Sequence, residues 1–549
     1  MDTMLNSSDS PRVAGASVRH DDPAPRLARA TARTILTTAV LLGISGDALL
    51  REGPVGLAFG VWIGTVALAA VSALRSAERT VSRETGAWLV AAVLFSFAFA
   101  WRNSDALLFL DFCAVAGCLG MAALASHDPR AALFARRLRE TVVGAVAIVR
   151  GVLVGVLPLA FRDAFPREDA ARVRGRAMPM LRAGLISCAL LVVFGALLRD
   201  ADPIFASLIR LPDIPVDVVV SHLFLTGFFA WIVGGWSRTV ALERAHPGHT
   251  ASEPYVQLGM LDVTAALGTL NVLFGAFVLT QLGWFFGGEA FLRARTGLTV
   301  ATYARQGFFQ LAWVALLVVP VLLATRASLR PDQALARRHT LLSLPIIALL
   351  GAIIVSATLR MKMYVHFYGL TTDRLYTLVF MAWLSIVLVW LALTVLREWG
   401  QPFVAGVAIS GLAVLAVLNV ADPDAFVARV NVERAAQLPS GSQPSLDLIH
   451  LAGLSGRAVG YATNAILAAP LGQPGTALRG DDDVQRCDAS RMLLARWGPT
   501  SPKRTRLDGG AAWRFWNADD AAALRVVGSR ASQLFAARHL CKAPPPDSH

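Results

Sequence analysis

Apolar runs long enough to cross a bilayer recur along this chain, and no other feature limits its fold so tightly. One extends from Leu341 to Leu359, broken only by Ser, Gly, Pro, Ala and Thr. A helix of about 20 such residues spans a hydrocarbon core of about 30 Å, and a lone strand could not, because every backbone N–H and C=O must be satisfied within the segment. Comparable runs occupy Thr34–Leu50, Val55–Leu74, Ala87–Trp101, Ala106–Ala125, Leu181–Leu198, Val216–Trp236, Leu261–Gly287, Phe308–Thr325, the stretch from Asp373 to Leu396, and Phe403–Val420. The chain has 549 residues, 55% of them hydrophobic and only 16% charged, which excludes an ordinary soluble globule. The expected fold is all-α: a polytopic transmembrane helix bundle of about 11–12 spans with a small helical, soluble C-terminal tail domain. Four regions follow: a disordered N-terminal arm (1–30), N-terminal membrane helices with a basic interfacial segment (31–180), a membrane core (181–420) and the tail (421–549).

The net charge of +13 does not point to nucleic acid, because the arginines sit in short loops beside apolar spans and no nucleic-acid-binding motif accompanies them. Their distribution instead arbitrates the one ambiguous segment, Thr141–Phe161, which is long enough to cross but is interrupted by Arg150. If it stays on one side as an interfacial or re-entrant helix, Lys and Arg concentrate on the side of the N-terminal arm. The positive-inside rule then places the arm in the cytoplasm and the tail outside, in an inner or plasma membrane. Of five cysteines, Cys113, Cys118 and Cys188 lie in apolar spans, where they serve as small packing residues. Cys487 and Cys541 lie in the tail, and outside the cytoplasm they are expected to form a disulfide. Closing a loop of that length stabilises a small domain by about 3 to 4 kcal/mol in the chain-entropy model.

Two membrane-length helices meet at Arg360-Met-Lys-Met-Tyr-Val-His-Phe-Tyr-Gly-Leu-Thr-Thr-Asp-Arg-Leu-Tyr376, a junction far more polar and aromatic than its surroundings. Gly369 suits the left-handed end of the first helix, and Thr372 with Asp373 suits the N-cap and first turn of the second. Arg360, Tyr364 and Tyr368 share one face by four-residue spacing, and Lys362 and His366 share another. With Asp373 and Arg374 these residues form the principal candidate binding site, a cationic and aromatic rim suited to an anionic headgroup or carboxylate. The other reading is an aromatic belt with snorkelling cations.

That stretch resembles the signature of a bacterial family of multi-pass membrane proteins, the domain-of-unknown-function family 4173. Ala201-Asp-Pro-Ile-Phe205, Tyr303-Ala-Arg-Gln-Gly-Phe-Phe309, the Asn419–Arg434 segment with its Asn431-Val-Glu-Arg, and Trp513-Arg-Phe-Trp-Asn517 extend the resemblance over Leu181 to Asn517. It implies the architecture and carries no activity.

A secondary polar site is expected from Asp111, Asn271 and Gln281, since ionisable and amide groups inside spans seek a wet or protein-lined interior. Arg199, Asp200 and Asp202 read as an ion pair at the membrane edge. His246 and His249, with Glu243 and Glu253, are separated by Pro247-Gly248, which favours a turn over a metal site. No metal and no cofactor is expected. In the tail, helices are expected over Leu446–Leu451, from Ser455 to Ala468, from Asp481 to Trp497, and from Asn517, with Trp513, Phe515 and Trp516 as a core or docking cluster.

No Gly-rich phosphate loop, His-Glu-x-x-His or Gly-x-Ser-x-Gly occurs, so the reading leans away from an enzyme. It favours an integral membrane protein that transports or handles an anionic lipid or small solute, with membrane lipids as its partners. The alternatives are an envelope scaffold or sensor that meets an envelope protein through the tail, and a membrane-embedded transferase.

Overall fold

The computed structural model describes residues 23–52, 56–127, 138–164, 216–243, 257–296, 308–330, 332–394, 403–437, 446–468, 480–510 and 512–538, with isolated positions between 179 and 194. The described elements are helical. The first four are α1 (Pro23–Leu50), α2 (Leu57–Ser76), α3 (Arg83–Trp101) and α4 (Asp105–His127). Next come α5 (Leu138–Val154) and α6 (Val156–Pro158), the latter continued by a π-helical turn over Leu159–Asp163. Six long helices follow: α7 (Val216–Ala241), α8 (Met260–Thr296), α9 (Phe308–Ala327), α10 (Gln333–Tyr368), α11 (Thr372–Thr394) and α12 (Phe403–Ala421). The tail holds α13 (Pro423–Gln437), α14 (Leu448–Gly453), α15 (Ala458–Ala468), α16 (Gly480–Trp497), α17 (Pro502–Leu507), α18 (Ala512–Phe515), α19 (Ala518–Ser529) and α20 (Ala531–Arg538).

Among the described residues nine helices are long and apolar enough to cross a membrane, or ten if the bent α5–α6 pair is one span. The expected crossing at Leu181–Leu198 falls largely outside the described residues. The first helix starts at Pro23, within the arm expected to lack structure, and proline suits that position because its missing N–H would be unpaired in a first turn anyway. Elsewhere the helices begin where capping chemistry allows. Ser82 accepts from the Thr85 N–H (3.1 Å), and Asp332 accepts from the Ala334 N–H (2.9 Å), nine residues before the apolar run of α10 begins at Leu341.

One end of the bundle is tied together by loop arginines. Arg79 donates to the carbonyls of Val240 (2.9 Å) and Ala241 (3.2 Å) at the end of α7, and to that of Ser126 near the end of α4. Thr31, early in α1, donates to the Ser76 carbonyl at the end of α2 (2.8 Å). The bent segment belongs to this same basal end. Gly144 of α5 packs against Leu124, α5 and α6 meet at 50°, and the π-turn returns to Arg33, which donates to the Ala164 carbonyl (2.9 Å), and to Arg238, which pairs with Asp163 (2.8 Å).

Two apolar clusters fill the bundle. Phe59, Trp62, Ile63, Val66, Trp88, Phe99, Val115 and Trp236 build one among α2, α3, α4 and α7, and Leu267, Leu322, Ile346, Leu350, Ile353, Leu384 and Leu391 build the other among α8 to α11. Helix α12 joins them, with Ala405 in the first and Phe403 in the second. Close approach replaces hydrophobic drive in lipid. Gly60, for example, sits against the Phe97 ring. The helices after Ala421 have a core of their own around Leu451, Val459, Ile466, Leu493, Trp497 and Val527.

Candidate functional site at the junction of bundle and tail

The hairpin expected as the principal site lies at the end opposite the basal loops. Gly369 ends α10 at φ 80° and ψ 174°, an extended positive-φ conformation that is essentially reserved to glycine, rather than the left-handed helical one. Helix α11 begins at Thr372, one residue earlier than a Thr372 cap requires, and Asp373 occupies its first turn. Arg374 turns inward, donating to the Gly369 carbonyl and stacking on the Tyr364 ring at 4.2 Å. Tyr364 and Tyr368 lie 4.9 Å apart. Arg360 is buried, whereas Lys362, Tyr368 and Asp373 are exposed, and the His366 side chain lies outside the described residues. The turn is gripped from the tail: Asn431 of α13 accepts from the Leu370 N–H (2.9 Å) and donates to its carbonyl (2.6 Å), and Leu370 itself enters the tail core.

A denser polar cluster, not anticipated from the sequence, stands beside it. Arg102 follows the last residue of α3 and is 1% exposed. Its guanidinium donates to the carbonyls of Asn419 (2.6 Å) and Val420 (3.2 Å) at the end of α12, and pairs with Asp422 (2.8 Å) and with Asp519 of α19 (3.3 Å). Arg457 reaches the same two carboxylates at 3.9 Å and 3.2 Å. Asp422 has φ 57°, unusual for a residue other than glycine. There it ends α12, and its Oδ1 accepts from the Ala425 N–H (3.2 Å) to start α13. Burial lifts the Asp519 carboxyl to about 6 against the opposing pull of Arg102, and burial likewise raises Asp424, whose Oδ2 accepts from the Ser455 N–H (2.9 Å).

Asn517 joins two helices at once. Its side-chain oxygen accepts from the N–H groups of Asp519 (2.9 Å) and Asp520 (3.1 Å), capping α19 as its sequence position suggests. Its amide nitrogen donates to the carbonyls of Phe99 and Arg102 (both 2.8 Å), satisfying orphan acceptors at the end of α3. Asn103 bonds Asp520 and accepts from the Gly456 N–H (3.3 Å). Gly56 has φ 82° and packs against the backbone of Arg514 and Phe515, where a Cβ would collide. The tail thus locks onto the loops after α1, α3, α10 and α12.

Of the secondary polar site, Asp111 and Asn271 have no partner in common among the described residues. Asp111 is fully buried and accepts from the Asn419 amide (2.8 Å). Asn271 donates to Leu267 (2.9 Å) and across to Leu342 of α10 (2.8 Å), and the Gln281 side chain lies outside the described residues. The Arg199, Asp200 and Asp202 group and the His246 and His249 loop also lie outside them. Glu243 pairs with Arg238 (2.5 Å). Among the described residues no group of three His, Cys, Asp or Glu could hold a metal ion. Cys487 is disulfide-bonded, with its Sγ 3.8 Å from the Arg538 carbonyl oxygen, and Cys541 lies outside the described residues. Cys113 and Cys118 are free. Trp513 and Trp516 are exposed.

Within the membrane-spanning part a cavity of about 850 Å³ runs between α2, α3, α4, α5, α7, α11 and α12. Trp62, Trp88, Trp236, Trp383, Cys113, Gly117, Gly120, Ile148, Leu412 and Leu415 line it. Three indole N–H groups are spent elsewhere: Trp62 donates to the Leu42 carbonyl (3.0 Å), Trp236 to that of Leu119 (3.1 Å) and Trp383 to the Ser410 hydroxyl (3.2 Å). Their rings remain to face the space. From Leu110 to Leu124 the lining follows α4 for about 21 Å at 1.5 Å per residue, roughly two-thirds of the hydrocarbon thickness.

Arg102, Asp422, Asp424 and Asp519 were missed because each reads locally as an ordinary helix end. A signal did exist. The Asn419–Arg434 stretch carries the family resemblance, and an arginine between two membrane helices whose one acidic neighbour in sequence, Asp105, starts the next helix needs a partner from afar.

Comparison with known proteins adds the family alone. A family model described as Domain of unknown function (DUF4153) matches residues 89–465. It covers the hairpin and the Asn419–Arg434 segment but ends before Trp513–Asn517, and its number is not the 4173 expected from the hairpin signature. No curated protein and no solved structure matches the chain.

Proposed function

Since the chain belongs to the DUF4153 family, whose description assigns no activity, we propose from the site alone that this multi-pass membrane protein handles a lipid, holding its acyl chain in the cavity between α4, α7 and α12. The carrying observation is the cavity itself: about 850 Å³, within the range of ligand pockets, apolar, and long in the direction of the spans. At that depth the abundant apolar molecule is an acyl chain. Lys362, exposed on the hairpin, and Arg360 beside it put positive charge at the tail end, which supports an anionic headgroup there. Helix α11 begins at this hairpin and contributes Trp383 to the cavity wall.

The finer setting belongs to the same proposal: a bacterial inner-membrane protein of the 4173 type, with the N-terminal arm in the cytoplasm and the tail a soluble domain outside, stapled by Cys487–Cys541. Arg33, Arg75, Arg79, Arg83 and Arg238 gather at the basal end opposite the tail, which supports that orientation. A second reading, an envelope scaffold working through the tail, draws support from Trp513 and Trp516, 47% and 45% exposed.

Gly117 and Gly120 offer the test, since a Cβ at either meets nothing within 4 Å. Full-length protein extracted under mild conditions should carry lipid detectable by native mass spectrometry. Gly117→Phe and Gly120→Phe should fold, as judged by tryptophan fluorescence, and lose that lipid. An unchanged lipid complement in both well-folded variants sinks the acyl-chain reading, and the scaffold reading then stands on whether the tail alone captures an envelope protein.

A further inference from the structure

The polar cluster at the junction does not balance in charge. Arg102 and Arg457 pair with Asp422 and Asp519, and Lys503 pairs with Asp520 (2.8 Å). Asp111 and Asp424 remain. Among the described residues neither has a cationic partner, and Asp111 Oδ2, Asp424 Oδ1 and the Asn419 side-chain oxygen are buried without a hydrogen bond. These are acceptors. The N-terminus of α13 offsets part of the Asp424 charge, being equivalent to roughly half a positive charge. A deficit of between one and two positive charges is left in a water-poor site, where an isolated carboxylate is costly.

The two carboxylates face a common neighbour. The Tyr376 hydroxyl, on α11, lies beside the Ser104 hydroxyl and has Asp424, Asp111 and Asp422 as its electrostatic neighbours. Ser104 is an electrostatic neighbour of Asp424 as well. We propose that Asp111 and Asp424, with the Tyr376 and Ser104 hydroxyls and the Asn419 side-chain oxygen, bind one small monovalent cation, a proton or Na+, at the tail end of the bundle. The inference stands whether or not the cavity holds a lipid. Carboxylate, amide and hydroxyl oxygens suit a hard cation, and a positive charge among them offsets the cost of the buried carboxylates. The other charged groups nearby are engaged or turned away. On α3 and α15 they are Arg102 and Arg457, paired as above. On α7, His222 pairs with Asp47 and Asp217 is exposed, while Arg238 and Glu243 lie at the opposite, basal end; on α11, Asp373 is exposed and Arg374 bonds the Gly369 carbonyl.

The test uses the full chain in lipid nanodiscs, with Asp519→Asn introduced throughout to remove that residue's own titration. Infrared difference spectra separate protonated carboxyl from carboxylate, and unfolding temperatures are followed as NaCl replaces choline chloride at constant ionic strength. A proton occupant gives a protonated-carboxyl band at pH 7 that disappears in Asp111→Asn or Asp424→Asn. A Na+ occupant gives a saturating rise in unfolding temperature of about 2 °C or more, which both variants lose. Asp111→Asn keeps an oxygen for the Asn419 amide, and Asp424→Asn lies outside the spans, so one can fold if the other does not. The proposal is overturned if both carboxylates are ionised at pH 7 with no Na+-specific shift, or if either effect persists unchanged in both variants.

Discussion

Replacing Arg102 by Met tests whether the junction holds the tail on the bundle. The substitution keeps most of the apolar stem and removes a guanidinium that makes four polar contacts between 2.6 and 3.3 Å. Asp422 and Asp519 would then keep only Arg457, which is 49% exposed. Removing one partner of a buried ion pair costs about 3 to 5 kcal/mol, mostly because the other charge is left uncompensated. At about 1.4 kcal/mol per decade, amide exchange at 419–422 and 517–520 should accelerate about 100-fold or more, while that of mid-span Leu384 and Leu388 stays slow. If the cost is the stranded charge, adding Asp422→Asn and Asp519→Asn to Arg102→Met should recover most of the protection. A loss below about 1 kcal/mol, or no recovery in the triple variant, refutes the reasoning.

Asp519 makes the junction pH-dependent: its folded carboxyl titrates at about 6 instead of 3.8, so between these values the folded protein holds a proton that the unfolded chain has released. Stability is therefore greatest below that window and falls as pH rises through it, by about 3 kcal/mol in all. Asp519→Asn should flatten that slope in denaturation midpoints measured from pH 4 to 8. Asn431→Ala leaves the buried Leu370 N–H and carbonyl without their partner and should cost about 1 to 3 kcal/mol, read as faster exchange at Leu370. Reduced Cys487 and Cys541 in intact cells should react with an impermeant thiol probe, and reaction only after lysis would place the tail on the cytoplasmic side.

The sequence alone determined the membrane architecture, because a helix inside lipid must satisfy its own backbone and therefore announces itself as an apolar run of fixed length. It also located the local features: the Gly369 turn between two spans, the Asn517 cap, and tail helices within a few residues of their observed bounds. Each depends on neighbours in the chain. Only the tertiary structure decided where polar groups meet, since a carboxylate's partner lies wherever folding brings a cation. Arg102 finds Asp422 and Asp519 across 320 and 417 residues, and Asn419 finds Asp111 across 308. For the same reason the sequence did not show that the hairpin turn is held by Asn431, or that Asp111 meets Asn419 near the tail junction. The cavity was equally invisible in the sequence. Its walls come from seven helices whose apolar residues look alike one by one, and only the spacing between packed helices leaves room there.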